Sequence, residues 1–172
     1  LICQAVVRPS KRFSEPSFNP IGSSSLLINP FSTGYNNLML YQINPEWAIN
    51  LPEGFRYHSE GSHLVFWRRG WTIITTIYAY TNEKKRQVLI ANLRAKAQAN
   101  QLEVIEEPGH EIYRLGYLQP EAIKPGHTRL ALHAFTAGLH SCLQTSLYLD
   151  RPSDLKAALK IWQAVAFTPQ EL

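Results

Sequence analysis

The sequence predicts an α+β fold in which an antiparallel β-sheet packs with helices. Short segments rich in β-branched and aromatic residues follow one another, separated by turn residues. Two further segments have the apolar spacing of helices, and they follow groups of strands instead of alternating with single strands. With 172 residues, of which 45% are hydrophobic and 17% charged, the chain fits one globular domain with an extension.

The N-terminal part has a different composition from the rest. Residues 1–37 are predicted to form an extended, mostly irregular arm, because four prolines and many Ser and Asn residues interrupt any period. Residues 38–172 are predicted to form a single α+β domain. The opening Leu-Ile-Cys-Gln-Ala is open to three interpretations: the end of a signal peptide, a lipid-anchoring Cys3, or an arbitrary boundary.

Strands are expected wherever β-branched and aromatic residues cluster between turns. They are predicted at Leu38–Ile43, Trp47–Leu51, His63–Trp67, Trp71–Tyr80, Glu103–Glu107, Glu111–Leu118, Thr128–Ala137 and Ser141–Leu149. Gly70 and Gly138 are the expected turn residues of two hairpins. A proline-rich loop containing Pro120 and Pro125 is expected before the second hairpin.

Two helices are expected, each after a group of strands. Glu83–Gln101 has an apolar stripe, and Thr81 or Asn82 is expected to cap its first turn. The last helix is expected to begin at residues 152–154 with Ser153 as its N-cap, and to end before Thr168.

The stretch HLVFWRRGWTIITTIYAY raises the question of a nucleic-acid surface, since tryptophans flank a basic pair. A stacking platform needs aromatic faces exposed together on one side of a sheet, with cations nearby. The net charge is only +4 and the basic residues are dispersed, so an ordinary hairpin with a charged tip is the favoured interpretation. Binding of an anionic partner, nucleic acid or lipid, through the basic patches is retained as an alternative.

The six histidines and two cysteines do not form a recognisable motif. Their spacings match neither a helical His pair nor a zinc finger, so no metal site or cofactor is predicted. An alternative hypothesis is a small hydrolase or ligand-binding enzyme that uses His133, His140 and Cys142, which requires a pocket joining at least two of them.

The block from Trp47 to Phe167 resembles the PsbP/Mog-type family of small α/β/α sandwich proteins. The likeness lies in the opening WAINLPEGF, the order of hairpins and helix that follows, and a C-terminal amphipathic helix ending in Ala-Phe. Members of that family are mostly non-enzymatic accessory or assembly proteins, several of them lipid-anchored in the bacterial envelope. The resemblance therefore implies a binding function and transfers no catalytic residue.

We accordingly expect a non-catalytic accessory or assembly protein that binds a larger bacterial protein complex, exported to the envelope and periplasmic or lipid-anchored. No apolar run reaches the roughly 18 residues of a membrane-spanning helix, so membrane association is expected only through an N-terminal anchor. The predicted partner contacts are apolar side chains of the arm, the basic hairpin tip and the basic start of the first helix: Phe13, Phe18, Leu26, Leu27, Phe31, Arg68, Arg69, Lys84, Lys85 and Arg86.

Overall fold

The computed structural model describes residues 38–80 and 82–169. The predicted arm, with its five apolar contact residues and Cys3, lies outside these residues, so the predictions made for it and for the domain boundary stay predictions. The elements are, in chain order, β1 (Leu38–Gln42), β2 (Trp47–Pro52), β3 (Arg56–Glu60), β4 (His63–Arg68), β5 (Trp71–Ala79), α1 (Glu83–Ala99), β6 (Val104–Glu107), β7 (Tyr113–Lys124), β8 (His127–Ala137), β9 (Ser141–Leu149), a 3₁₀ turn (Pro152–Asp154), α2 (Leu155–Gln163) and β10 (Ala166–Phe167).

A seven-stranded antiparallel sheet organises the fold, with the strand order β3-β4-β5-β9-β8-β7-β6. The predicted antiparallel sheet packed with helices is thereby confirmed at this coarse level. The described part of the chain is nevertheless rich in strands, and its two α-helices have only 17 and 9 residues.

One face of the large sheet carries the main core. The small sheet β1-β2-β10 and helix α2 cover this face. Trp47 from β2 and Trp162 from α2 are fully buried against it. Gly116 on β7 leaves room for the Trp162 ring, because a Cβ there would lie 3.0 Å from its nearest carbon.

Helix α1 packs on the opposite face, near β6 and β7. Ile90 and Ala97 are its buried apolar residues, and they contact a second cluster of side chains on that face of the sheet. Of the two predicted caps, the structure shows Asn82, whose side chain accepts a hydrogen bond from the backbone N–H of Lys85 at 3.0 Å. Helix α1 covers only part of this face, so a depression remains beside it.

The hairpin β4–β5 is confirmed, with Gly70 at φ 79° in its turn. Trp67 and Trp71 lie on opposite faces of it, because Trp67 pairs with Thr72 whereas Trp71 pairs with Arg68. Trp71 is buried and Trp67 is 36% exposed. The two rings therefore cannot form one stacking platform.

One strand was missed, and three local predictions differ from the structure. Strand β3 was not predicted, and β7 continues through Pro120, where a loop was expected. At the C-terminal end, Ser153 lies within the 3₁₀ turn instead of capping a helix, and α2 already ends at Gln163.

Pro120 fits into β7 because of where its nitrogen faces. The backbone N–H of Leu118 donates toward the β6 side, to the carbonyl of Glu103 at 3.2 Å. Residue 120 faces the same way, since backbone direction alternates along a strand. Strand β6 does not extend as far as residue 120, so no hydrogen bond of the ladder is lost because proline has no N–H.

Candidate functional site: a pocket beside helix α1

The two residues of the predicted basic hairpin tip behave differently. Arg69 is exposed. The Arg68 guanidinium folds back over the rings of Phe55 and Trp71, at 4.5 and 5.0 Å from their centroids. Arg68 therefore covers the core edge with its planar face, a cation–π arrangement that suits arginine.

The predicted basic start of α1 also separates into two kinds of residue. Lys84 and Lys85 are exposed, whereas Arg86 is only 4% exposed. Its Nη1 donates to the carbonyl oxygen of His110 at 2.9 Å and to the Glu83 carboxylate at 3.1 Å. Arg86 thus ties the first turn of α1 to the loop before β7. As a correction to the sequence prediction, it does not belong to the exposed basic surface.

The two exposed basic groups do not form one surface. Arg69 precedes β5, and Lys84 and Lys85 follow it. The nine-residue strand β5 lies between them and is about 26 Å long, since it has eight steps of about 3.3 Å. This is well beyond the Debye length of about 8 Å at physiological salt, so the groups act independently on an anionic partner.

The three residues of the enzyme alternative are not brought together. Cys142 is completely buried, and burial raises the pKa of its thiol to about 12, so no thiolate is available. His140 lies in the turn between β8 and β9, where its carbonyl accepts the N–H of Tyr80. His133 is four residues from Ala137, the β8 partner of Cys142, which is about 13 Å along the strand. The required pocket does not form among them.

His133 instead lines a different cavity, which we call the α1 pocket. It is an open depression of about 450 Å³ between α1 and the strands β5, β7, β8 and β9. Its walls are Tyr78, Leu89, Leu93, Lys96, Tyr117, Gln119, Glu121, His133, Phe135 and Gln144. The volume falls in the range of small-molecule sites, and the lining combines apolar side chains with a few polar ones.

A continuous chain of hydrogen bonds crosses the strands on the wall of this pocket. The Tyr78 hydroxyl donates to Gln144 Oε1 at 2.9 Å, and Gln144 Nε2 donates to Ser146 Oγ at 3.0 Å. Ser146 Oγ lies 3.2 Å from Nδ1 of His133. The other ring nitrogen, Nε2, faces the acceptor-only carboxylate of Glu121 at 3.7 Å, which favours the proton of neutral His133 on Nε2 and leaves Nδ1 as an acceptor for Ser146.

An acidic and a basic residue complete the chain. Nε2 of His133 is 3.7 Å from Glu121 Oε1, longer than a hydrogen bond. Glu121 Oε2 accepts from Arg129 Nη2 at 2.9 Å and Nε at 3.1 Å, and the Arg129 guanidinium lies over the Tyr148 ring at 4.1 Å. The charge of Glu121 is therefore paired with that of Arg129, and the Nε2 atom of His133 has only a long contact with the remaining Glu121 oxygen.

The surroundings of His133 favour its neutral form. Its side chain is only 14% exposed, and burial is the main cause that lowers the pKa of this imidazole. The charges of Lys96 and Arg129 act in the same direction, while Glu121 opposes them. At neutral pH His133 is thus an uncharged hydrogen-bonding group in the pocket wall.

Across the pocket, helix α1 supplies a wall of different character. Leu89 and Leu93 are half-buried apolar residues, and Lys96 one turn further on is exposed. With Glu121 and Arg129 paired and His133 neutral, Lys96 leaves the pocket with a net positive charge. The site therefore has an apolar side, a neutral donor and one cation.

Ser146 and His133 resemble part of a hydrolase site, but two features oppose that chemistry. Ser146 is 4% exposed, so its oxygen is not presented to a substrate. Both β8 and β9 have a partner strand on each side, and the ladder occupies the backbone N–H groups that an oxyanion hole needs. Both features oppose acyl transfer at Ser146.

A second cavity, of about 640 Å³, lies on the other side of α1, next to Gly109 and Tyr113. Its cations are largely occupied: Arg94 makes a two-pronged pair with Glu106 at 2.8 and 3.1 Å, and Arg86 bonds as described above. Only Nε of Arg86 is buried there without a partner. The charges of both arginines are therefore already compensated, Arg94 by Glu106 and Arg86 by Glu83, whereas Lys96 of the α1 pocket is exposed.

Sequence reasoning singled out His133 but missed the rest of the site. Glu121 was assigned to a loop, and Lys96 and Gln144 were not considered. A signal was present, because His133 lies between the apolar residues Leu132 and Ala134 on β8, and Gln144 follows Cys142 and Leu143 on β9. Once the hairpin register is known, both face α1.

No family model matches the chain, and no curated protein matches it. Among solved structures, the chain is similar to the crystal structure of LpqN, a protein involved in cell envelope biogenesis of Mycobacterium tuberculosis. The TM-score is 0.48 and the sequence identity 14%, over 78% of this chain and 93% of LpqN. This likeness does not identify a function, so the function is inferred from the geometry of the site.

Two further properties bear on partners. Neither α1 nor α2 has the length and apolar character needed to cross a membrane, and these are the α-helices of the described residues. Within residues 38–80 and 82–169, no three His, Cys, Asp or Glu side chains converge in a way that could hold a metal ion.

Proposed function

We propose that the protein is a non-catalytic binding protein whose α1 pocket holds a small organic molecule. The observation that carries the proposal is the one-way hydrogen-bond chain from Tyr78 to His133, which arranges polar groups of three strands along a cavity with an apolar helical wall. Such a network is ordered before any ligand arrives, so binding has little side-chain entropy to overcome.

Binding is favoured over catalysis because the groups that could react are inaccessible. Cys142 is sealed in the second core cluster, and Ser146 is buried beside backbone groups committed to the sheet. The polar residues that line the cavity carry an imidazole, two amides, two tyrosine hydroxyls, a carboxylate already paired with Arg129, and an ammonium group. These groups recognise ligands without needing to transform them.

A fragment screen by ligand-observed NMR tests this proposal. Leu93→Trp is expected to fill the pocket and abolish the binding of fragments that the wild-type chain holds. The matched control is Val88→Trp on the same helix, where the native side chain is 52% exposed and does not line the pocket. Fragments that bind the wild type, Leu93→Trp and Val88→Trp equally would place the binding site elsewhere and refute the proposal.

The accessory role expected from the sequence is a second candidate function, and one surface feature supports it. Leu38 and Leu40 are 58% and 45% exposed on β1, an edge strand that directly follows the predicted arm. Exposed apolar side chains on an edge strand favour contact with another chain. We propose on this basis that the arm and β1 dock on a protein complex, and, from the family resemblance, that this complex lies in the bacterial envelope.

Affinity co-purification from the native source, after mild detergent extraction and at two salt concentrations, tests the accessory role. The full chain should recover a defined complex at both salts, and deletion of residues 1–37 should reduce the recovery. Equal recovery with and without the arm would show that the arm does not contribute. Recovery of the chain alone would refute the role.

A further inference from the structure

We propose that the α1 pocket selects an organic carboxylate with an apolar body, held at its head by Lys96 and His133. This inference rests on the proposed function and adds the chemical class of the ligand. It follows from three features of the pocket: its charge, its hydrogen-bond donors and its apolar wall.

The charge of the pocket favours an anion. Arg129 holds Glu121 in a paired arrangement with both bonds on Oε2, at 2.9 and 3.1 Å. Lys96 is the remaining charged group of the lining. A cationic ligand would meet Lys96 without a free carboxylate to compensate, and a neutral ligand would gain nothing from it.

Two hydrogen-bond donors of the lining, His133 and Lys96, lie close enough together to act on one ligand head group, since the charge of Lys96 already acts on the imidazole. Along the chain, the Gln144 carbonyl oxygen accepts from Tyr78, and the Ser146 oxygen accepts from Gln144. The Nε2–H of His133 has only the Glu121 oxygen at 3.7 Å, and the Lys96 ammonium group adds further donors. A carboxylate is an acceptor-only group, so its two oxygens match these two donors.

The apolar wall defines the rest of the ligand. Leu89 and Leu93 on the helix and Phe135 on the sheet line the cavity next to the polar chain. An aliphatic or aromatic body placed there removes apolar surface from water on both sides. A small inorganic anion would satisfy the donors but would leave these walls in water, and is therefore expected to bind more weakly.

The experiment compares three probes with the same eight-carbon body: octanoate, 1-octanol and octylamine. Each is titrated into the ¹⁵N-labelled full chain, and backbone amide shifts are followed. Octanoate is expected to bind about tenfold more tightly than 1-octanol, since a charge-assisted hydrogen bond is worth about one such factor. Octylamine is expected to bind most weakly, and the shifts should include residues 89, 93 and 133.

Two matched variants separate the head group from the body. Lys96→Met keeps an unbranched stem but removes the ammonium group, so it should weaken octanoate binding about fivefold to tenfold and leave 1-octanol unchanged. Lys85→Met makes the same change on the same helix, at an exposed position that does not line the pocket. It should change neither probe.

The outcomes distinguish this inference from the proposed function. If 1-octanol or octylamine shifts the pocket amides with an affinity equal to that of octanoate, the carboxylate assignment is overturned while the binding site stands. An effect of Lys85→Met as large as that of Lys96→Met would overturn the assignment of Lys96. If octanoate does not bind, the carboxylate class fails, and the wider fragment screen decides separately whether the pocket binds anything.

Discussion

Replacing Arg86 by methionine should lower the free energy of unfolding by about 1–2 kcal/mol. Methionine keeps the apolar stem of the side chain but removes the bond to the His110 carbonyl, and a hydrogen bond to a charged group contributes about 1.5–3 kcal/mol. The Glu83 partner adds little because its side chain is 53% exposed. The substitution also removes the Nε–H, which is buried without a partner, and this offsets part of the loss. The expected net decrease in the free energy of unfolding is therefore about 1–2 kcal/mol.

Urea unfolding followed by circular dichroism measures this change. The matched control is Lys85→Met, the preceding residue on the same helix, which is exposed and should change stability by less than about 0.5 kcal/mol. A loss for Arg86→Met no larger than that for Lys85→Met would refute the reasoning. It would mean that the guanidinium does not hold the loop at His110, and that Arg86 belongs to the surface after all.

Three further predictions concern buried groups. In a Cys3→Ser background, Cys142 should react with a thiol reagent only at the rate of unfolding, since burial raises its pKa to about 12; fast labelling of the native protein would contradict this. Gly138→Ala should lower the free energy of unfolding by about 1–3 kcal/mol, because the new Cβ would lie 2.6 Å from the Phe167 ring. The loss, measured by urea unfolding, should be smaller in a Phe167→Leu background. Folding lowers the pKa of His133 below its ordinary value of 6.5, so the unfolded state takes up the proton first as the pH falls. The stability that is present above pH 6.5 is therefore lost at lower pH. His133→Gln should flatten that part of the pH–stability profile, and an unchanged profile would show that His133 is not the group involved.

The parts of the fold predicted from sequence are those with strong local patterns. The hairpins around Gly70 and Gly138 were found because β-branched and aromatic runs flank a single turn residue. Helix α1 was found because its apolar stripe and its cap at Asn82 agree with each other. In each case local preference and tertiary packing favour the same structure.

The elements that were missed owe their conformation to neighbouring strands. All five residues of β3 are exposed, so no alternation of apolar and polar residues marks it. It is a strand because β4 offers an edge with which it can pair. Pro120 indicated a loop. It is compatible with a strand only because β6 does not extend far enough to pair with residue 120.

The candidate site was largely invisible in the sequence for a related reason. His133 was noticed, but its partners Glu121 and Ser146 are 12 and 13 positions away, on two different strands. They meet His133 only through the β7–β8 and β8–β9 registers. Arg86 was misplaced because a run of three basic residues gives no indication of which one faces inward.

The central claim is that the α1 pocket holds a small ligand, and the most direct test is to map where the first confirmed ligand binds. Backbone amide shifts of the ¹⁵N-labelled full chain would be recorded during its titration. The account predicts saturable shifts concentrated at residues 89, 93, 121, 133 and 144, and their loss in Leu93→Trp but not in Val88→Trp. Shifts concentrated instead around residues 109 and 113, at the second cavity, or shifts that survive Leu93→Trp, would contradict it.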